Sequence, residues 1–548
     1  MPILRHQIVD LHARAVFPAE VEVERGLIKS IRPLADDEPV DSGHLLPGFV
    51  DAHVHIESSM LPPAEFARVA VRHGTVATIS DPHEIANVLG EEGLTFMLAE
   101  AAKACMPIYF GVPSCVPATE FETSGDRIDA AAVERLLADD RYWYLSEIMN
   151  WPGVLEEDPE LMAKIAAAKR CGKPIDGHAP GLRGGDLLRY AAAGITTDHE
   201  CGTIEEAREK ANAGMHILIR EGSAARNLEA IWPILLEFPH LAMFSTDDAH
   251  PDDLLRGHID RSVARCVAHG VNVFDVLRAA CIHPVEHYGL PTGQLRIGDR
   301  ADFIVVDDLV DFQVQQTWVG GKLVARDGKC LVPADLPPTP NRFRKARFVP
   351  SDFSISSGGG TAPVEVLTII AKDGELITGE TTTIIEPRGT SLEPDADDDT
   401  LLLAVCNRYQ TAPPAVAFIR GFKIRTGAIA SSVAHDSHQV IAVGTTRGAL
   451  CAAVNTVFEA RGGLAALGEG QTETLALPIA GLMSDRPAEE VAAAYERLTA
   501  MAHHLGSDLR APFMTLSFMA LLVIPSLKLS DLGLFDGGTF QFAAIRTP

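Results

Sequence analysis

The sequence predicts an α/β protein centred on a (β/α)8, TIM-like barrel, and three observations support this prediction. Short apolar runs typical of strands alternate with helix-like segments over about 240 residues. Eight such runs can be counted, which is the number that a barrel of this type needs. Histidine and carboxylate side chains follow several runs, at the strand ends where barrel active sites lie. A small β-sandwich domain and a C-terminal α/β domain complete the prediction.

The barrel strands are predicted from apolar runs that end near polar residues. The first run includes residues 45–50, and the others lie at 75–80, 108–112, 144–149, 174–177, 195–197, 216–219 and 241–245. Helix-like segments such as 161–171 and 187–193 separate most of them. A doubly wound open sheet is the structural alternative, but no Gly-x-Gly-x-x-Gly motif follows a strand to favour it.

Two further regions flank the barrel. The predicted order is a first part of the small β domain at 1–45, the barrel at 46–285, a second part of the small domain at 286–335, a linker at 336–363 and the C-terminal α/β domain at 364–548. Apolar and polar residues alternate at 21–24, and 298–306 has the pattern of a turn and a strand. Three consecutive glycines at 358–360 are typical of a linker or long loop.

Composition narrows the class of partner and the compartment. Of the 548 residues, 74 are acidic and 47 are basic, so the formal net charge is −27. Such a charge argues against binding nucleic acid or an anionic membrane. The nine cysteines form no Cys-x-x-Cys pair, and no N-terminal apolar run is long enough for a signal peptide. We expect a soluble cytoplasmic protein and, because symmetric assemblies are common, a homo-oligomer such as a dimer.

A metal site is predicted at the mouth of the barrel. His53 and His55 lie two residues apart at the end of the first strand, so both imidazoles point to the same side. One imidazole or carboxylate follows each of four later strands: Glu147, His178, His199 and Asp247. A lone His is more often structural than functional. Four His and two carboxylates at strand ends are much harder to explain by chance.

Six ligands fit two divalent cations better than one. Glu147 can bridge two cations, because a carboxylate has two oxygens to offer. A water shared by two cations loses its proton near neutral pH, and the resulting metal-bridged hydroxide is a nucleophile. Asp247 would accept that proton and later pass it to the leaving group. Imidazole and carboxylate donors suit zinc, manganese and iron alike.

Other polar residues are candidates for a third cation site, a proton relay or substrate contacts. Each also has an interpretation without a direct role in the chemistry. Glu84 would be a carboxylate at a helix N-terminus, Asp248 would orient a metal ligand, and most of the others would lie in a solvated loop or turn. For the loop 435–438 we expect closure over the barrel mouth. The candidates are Glu57, His83, Glu84, Asp248, Glu221, His435 and His438.

Several longer motifs carry a family resemblance. The runs PGFVDAHVH at 47–55 and GDRADF at 298–303 resemble motifs of the amidohydrolase superfamily. Seven more runs are HIESSM at 55–60, DPHEIANV at 81–88, GHAPGL at 177–182, TDDAHPDDL at 246–254, HDSH at 435–438, PIAGLMS at 478–484 and PFMTLSF at 512–518. These resemble the motifs of a narrower family within that superfamily, the bacterial adenine deaminases. The resemblance covers nearly the whole chain.

This resemblance implies hydrolysis of adenine, a small-molecule substrate, to hypoxanthine and ammonia. It implies two divalent cations, with Mn²⁺ or Fe²⁺ foremost and Zn²⁺ as an alternative. His53, His55, Glu147, His178 and His199 would be ligands, and Asp247 both a ligand and the catalytic base. Many superfamily members bridge their cations with a carboxylated lysine on strand four, where this chain has Glu147, in keeping with the narrower family. Glu84 is our prediction for the acid that protonates a ring nitrogen.

Two departures from the family pattern are minor. The second strand is less rich in threonine, and the N-terminal domain is shorter, which leaves the completeness of the small sheet open. Three other functions also stay open. Another amidohydrolase, acting on a different heterocyclic amine or a cyclic amide, would share the same ligands. A non-catalytic scaffold would be expected to have lost ligands, and all six are present. A redox enzyme has no nucleotide-binding glycine motif or cysteine cluster to support it, although an iron-loaded site could do incidental redox chemistry.

Overall fold

The computed structural model describes residues 2–223 and 225–546, and its central unit is a ring of eight parallel strands. The strands are Phe49–Val54, Thr75–Ser80, Ile108–Val112, Tyr142–Ile148, Ile175–Gly177, Thr197–Asp198, His216–Arg220 and Ala242–Ser245. The first five pair in sequence order, and so do the last three. Alternate side chains fill the interior, among them Val50, Ala77, Leu218 and Met243.

Main-chain hydrogen bonds close the two groups of strands into one barrel. Thr196 N donates to Ile175 O at 2.9 Å, which joins the fifth strand to the sixth. Asp247 N donates to His53 O at 2.9 Å, and His55 N donates to Asp247 O at 3.1 Å, which joins the eighth strand to the first. The TIM-like barrel is therefore confirmed, and the open doubly wound sheet is excluded.

Helices surround the barrel, and short polar side chains begin several of them. The carboxylates of Asp129 and Asp158 and the hydroxyl of Thr203 each accept a main-chain N–H in the first helical turn. The helices of this region are Pro63–Ala70, His83–Leu89, Glu91–Ala101, Ala130–Leu137, Trp151–Leu155, Pro159–Cys171, Gly184–Ala192, Ile204–Asn212, Leu228–Ile231, Ile234–Glu237, Pro251–Arg256, Ile259–Ala268, Val273–Cys281 and His283–Tyr288.

The N-terminal segment and the segment after the barrel form one eight-stranded sheet. Across the sheet the strands are Lys329–Cys330, Lys322–Arg326, Val314–Val319, Phe303–Val306, His44–Pro47, Ile3–Asp10, Ala15–Glu24 and Leu27–Pro33. The strand His44–Pro47 pairs with both segments and joins them. The prediction that residues 45–46 begin the first barrel strand is therefore wrong, because this pairing places them in the small sheet and the barrel strand begins at Phe49.

A second eight-stranded sheet organises the C-terminal region. Its strands, in spatial order, are Gly379–Ile385, Val364–Ile370, Ala415–Arg420, Leu401–Cys406, Val440–Gly444, Ala428–Ser431, Gly463–Gly468 and Gln471–Ala476. The helices Arg447–Ala460, Ala488–His504 and Pro512–Ser517 accompany it. Two smaller sheets consist of Leu527–Ser530, Gly533–Asp536 and Gln541–Phe542, and of Ile355–Ser356, Ser391–Leu392 and Pro387–Arg388.

Residues 336–363, predicted as a linker or a set of long loops, are mostly loop and pack against the C-terminal sheet. Phe343, Phe348, Phe353 and Ile355 are buried in one apolar cluster with the C-terminal sheet. Burying these side chains fixes the segment on the surface of the sheet, so the large apolar residues outweigh the Pro, Ser and Gly around them. Within the described residues, no helix combines the length and the apolar character required to cross a bilayer.

Candidate active site

The six predicted ligands converge at the carboxyl ends of the barrel strands. The structure places Glu147 at their centre, where its carboxylate is almost fully buried. His55 Nε2 lies 3.6 Å from Glu147 Oε1, while His178 Nδ1 and His199 Nε2 lie 3.0 and 3.1 Å from Glu147 Oε2. Burial alone would raise the pKa of Glu147, but the neighbouring imidazoles more than offset this and hold it well below its usual range. Glu147 is therefore an ionised carboxylate between two groups of donors.

The first group of donors is formed by the first and eighth strands. His53 Nε2 and His55 Nε2 are 3.3 Å apart, and they lie 3.5 and 3.1 Å from Asp247 Oδ1. The ring of His55 is oriented by its other nitrogen, Nδ1, which lies 3.1 Å from the carbonyl oxygen of Asp81. This contact leaves Nε2 free to face the centre of the site.

The second group of donors is formed by the fifth and sixth strands. His178 Nδ1 and His199 Nε2 lie 3.3 Å apart. Buried Lys210 supports both strands, since its ammonium donates to Ala179 O at 2.7 Å and to Asp198 Oδ1 at 2.9 Å. The ammonium group of Lys210 thus holds the residue next to each of the two imidazoles.

The donor set fits divalent cations. Tetrahedral bonds of about 2.0–2.1 Å separate two ligand nitrogens by roughly 3.3–3.4 Å. In each pair of imidazoles the facing nitrogens are 3.3 Å apart. The carboxylates of Glu147 and Asp247 supply negative charge beside both pairs, as metal sites of this kind require.

Asp247 has two oxygens in different surroundings. Its Oδ2 accepts a hydrogen bond from Arg220 Nη1 at 2.6 Å, whereas Oδ1 faces His53 and His55. Burial opposes the charge of Asp247, but Arg220 and the two imidazoles more than offset it and hold its pKa well below the usual range. The residue has a φ of 55°, in the left-handed region, a backbone strain that is common at functional positions.

Glu200 is a site residue that the sequence did not single out, and Arg220 belongs to the segment 220–223, for which the sequence allowed either a substrate contact or a surface loop. Arg220 is buried, forms an ion pair with Glu200 and lines the same cavity as the predicted ligands. The seventh strand extends to Arg220, one residue further than predicted, and alternation from Leu218 then turns Arg220 inward. The same alternation turns Glu221 outward, where it pairs with Arg265. Glu221 therefore lies outside the cavity that Arg220 lines.

The C-terminal region supplies one side of the site through the loop 435–438. His435 Nδ1 lies 2.7 Å from Glu84 Oε1, and His438 Nε2 contacts Glu84 Oε2. Burial disfavours the charge on His435, but Glu84 and Asp248 more than offset this and raise its pKa to about 9. Burial lowers the pKa of His438 to about 4. The loop thus packs a positively charged imidazole against a carboxylate of the barrel.

The other candidates lie at different distances from the centre. His83 and Asp248 line the cavity, where His83 Nδ1 is 3.5 Å from Glu147 Oε1 and Asp248 accepts a hydrogen bond from Ser58 at 2.5 Å. Glu57 is buried and accepts the main-chain N–H of Ile85, in the first turn of the helix His83–Leu89. Glu57 therefore supports that helix.

The cavity has a polar side and an apolar side. The polar side includes five of the six predicted ligands, all but His53, together with Glu84 and Arg220. The apolar side, which we call the apolar wall, consists of Leu376, Phe518 and Leu521 of the C-terminal region. A flat, mostly apolar ring with a few polar atoms would suit such a cavity.

Comparison with known proteins agrees with this geometry. A model of the amidohydrolase family matches residues 44–324, so the barrel and its site define the chain as an amidohydrolase. A model of the adenine deaminase C-terminal domain matches residues 375–541. The adenine deaminases of Salinibacter ruber, Sulfurovum sp. and Methanosarcina mazei are 56%, 52% and 48% identical to this chain. Each alignment covers 98% of this chain and 97–98% of the relative. The chain belongs to the adenine deaminase family.

Proposed function

We propose that this chain hydrolyses adenine to hypoxanthine and ammonia at the mouth of its barrel. The observation that carries the proposal is the six-ligand group around Glu147, closed on one side by the apolar wall of the C-terminal region. Relatives that match almost the whole chain are named adenine deaminase, which supports the choice of substrate. The ligand group alone would suit another amidohydrolase acting on a different heterocyclic amine or cyclic amide.

We further propose that two divalent cations act in this site, with Mn²⁺ or Fe²⁺ favoured over Zn²⁺. His53, His55 and Asp247 would hold one, His178 and His199 the other, and Glu147 both. When bound, such cations lower the pKa of a water molecule, so that it can attack adenine at neutral pH. The amidohydrolase family implies divalent metal ions, and the spacing of the imidazole nitrogens supports two positions.

Asp247 is the proposed carrier of the water's proton. Its Oδ2 accepts from Arg220, and its Oδ1 faces the place where a cation and the attacking water would lie. As the new C6–O bond forms, that proton passes to Asp247 Oδ1. As the C6–N bond breaks, the same proton moves to the leaving nitrogen, which departs as ammonia. One water is consumed and one ammonia released for each adenine.

Glu84 has a revised place in this mechanism. Burial would raise the pKa of Glu84, but His435 and His438 more than offset this and hold it well below its usual range. A carboxylate that stays ionised is a poor proton donor by itself. We propose that the Glu84–His435 pair, with the proton on the imidazole, protonates a ring nitrogen of adenine during attack. The 2.7 Å contact between the two groups and their place in the cavity support this. The second proton of the attacking water leaves its oxygen as the C6=O bond forms and returns the pair to its starting state.

A substrate panel tests the proposed function. We expect adenine to be turned over with a kcat/KM at least about 10³-fold above that of adenosine, because a ribose does not fit a cavity with a closed apolar wall. Guanine, cytosine and dihydroorotate, measured in parallel with metal-loaded protein, should be poorer still. Faster turnover of another ring, or equal rates for adenine and adenosine, would favour the alternative amidohydrolase function.

A further inference from the structure

A buried lysine lies behind the apolar wall. Lys528, in the strand Leu527–Ser530, has no exposed surface, and its ammonium donates to Leu376 O at 2.7 Å and to Phe518 O at 2.9 Å. Burial lowers its pKa to about 7. Both acceptors are main-chain carbonyls, so the lysine joins two segments of backbone to each other.

These two segments carry the apolar wall. Leu376 lies between the strands Val364–Ile370 and Gly379–Ile385, while Phe518 begins the short helical turn Phe518–Ala520. About 140 residues separate them in the sequence, yet their side chains line one side of the cavity. The side chain of Lys528 donates one hydrogen bond to each of these two segments.

The wall also contacts His435, which pairs with Glu84 of the barrel. The rings of Phe518 and His435 have centroids 5.1 Å apart, and His435 in turn contacts Glu84. A displacement of Phe518 would therefore change the apolar contact with substrate and the packing of His435. Lys528 itself does not line the cavity, so any effect on substrate must pass through the segments that it holds.

We propose that Lys528 is a positioning residue that fixes the apolar wall against the purine ring and so sets substrate affinity and selectivity. The identity of the ring rests on the proposed function, whereas the positioning of the wall does not. Burying an amino group is costly unless its hydrogen bonds are made. A methionine would fill similar space without that cost, so holding two carbonyls is what the lysine adds at this position.

The test compares Lys528→Met with a matched control, Lys423→Met, which removes an exposed lysine paired with Asp508. In Lys528→Met we expect KM for adenine to rise roughly 5- to 50-fold while kcat falls by a smaller factor, because the wall moves, His435 is disturbed only through its contact with Phe518, and the metal ligands stay in place. Metal content should equal that of the wild type. The preference for adenine over 2,6-diaminopurine should fall, and the control should match the wild type in every measurement.

Hydrogen exchange separates this proposal from the proposed function. Amides at 374–378 and 516–521 should exchange faster in Lys528→Met than in the wild type, whether or not adenine is the substrate. Lys528→Gln keeps two N–H donors on a shorter side chain, so its exchange rates in these segments should lie between those of the wild type and Lys528→Met. This variant provides the test if the methionine variant does not fold. Wild-type exchange in these segments, or faster exchange with an unchanged KM and selectivity, would overturn the proposal. A wild-type protein that does not turn over adenine would count against the proposed function alone.

Discussion

Replacing Asp247 by Asn is expected to lower kcat for adenine by about 10³- to 10⁴-fold, the usual contribution of a positioned base. The amide can accept from Arg220 through its oxygen, but it cannot take up the proton of the attacking water. The side chain keeps its shape, and Arg220 keeps its ion pair with Glu200. Steady-state assays should be paired with thermal unfolding and elemental analysis, to show that the loss is chemical.

The matched control for this variant is Asp253→Asn. Asp253 lies six residues further along, in the helix Pro251–Arg256, and pairs with Arg226 near the surface. It should retain the wild-type rate. Near-normal turnover in Asp247→Asn would show that another group carries the proton.

Replacing Glu147 by Gln is expected to remove both activity and metal. Among the residues that the structure describes, Glu147 is the one carboxylate within 4 Å of imidazoles from both donor groups. An amide has a single oxygen and no charge, and its NH2 would face nitrogens that must be free to bind a cation. Metal affinity should fall by more than about 10²-fold, the upper range for changes outside the ligand shell. Elemental analysis after gel filtration should then give less than one cation per chain.

Glu134→Gln is the control for that experiment. Glu134 is exposed on the helix Ala130–Leu137, where it pairs with Arg170. This variant should keep the wild-type metal content and rate. If Glu147→Gln also kept full metal content, Glu147 would not be the ligand that links the two donor groups.

The sequence was enough to predict the barrel and the convergence of the candidate ligands because both follow from local patterns. Apolar runs end at His55, Glu147, His178 and Asp247, and parallel barrel strands bring their carboxyl ends together at one mouth. Predicting that these residues converge therefore required no knowledge of long-range packing.

Arg220 and Glu221 show that such a pattern does not determine side-chain orientation at the end of a strand. Ending the seventh strand one residue early left the side of the barrel on which each points undetermined. The charge pattern alone did not indicate whether Arg220 or Glu221 points into the barrel. A strand that continues to Arg220 decides both orientations, because side chains alternate along it.

The apolar wall could not be predicted from the sequence. Leu376, Phe518 and Lys528 lie far apart in the sequence. Leucine and phenylalanine are common in any core and lysine on any surface, so their residue types do not indicate that they lie together. Their contacts depend on how the C-terminal sheet packs over the barrel. In the same way, the buried phenylalanines of 343–353 are recognisable as packed only once the sheet beneath them is known.

The most direct test of the proposed function is a metal add-back experiment on the purified protein. Protein stripped with a chelator should release no ammonia from adenine. Stepwise addition of Mn²⁺ should restore activity, which should rise until about two cations are bound per chain and release ammonia and hypoxanthine in equal amounts. Full activity in the stripped protein, or no conversion of adenine at any Mn²⁺ level, would contradict the assignment of a metal-dependent adenine deaminase.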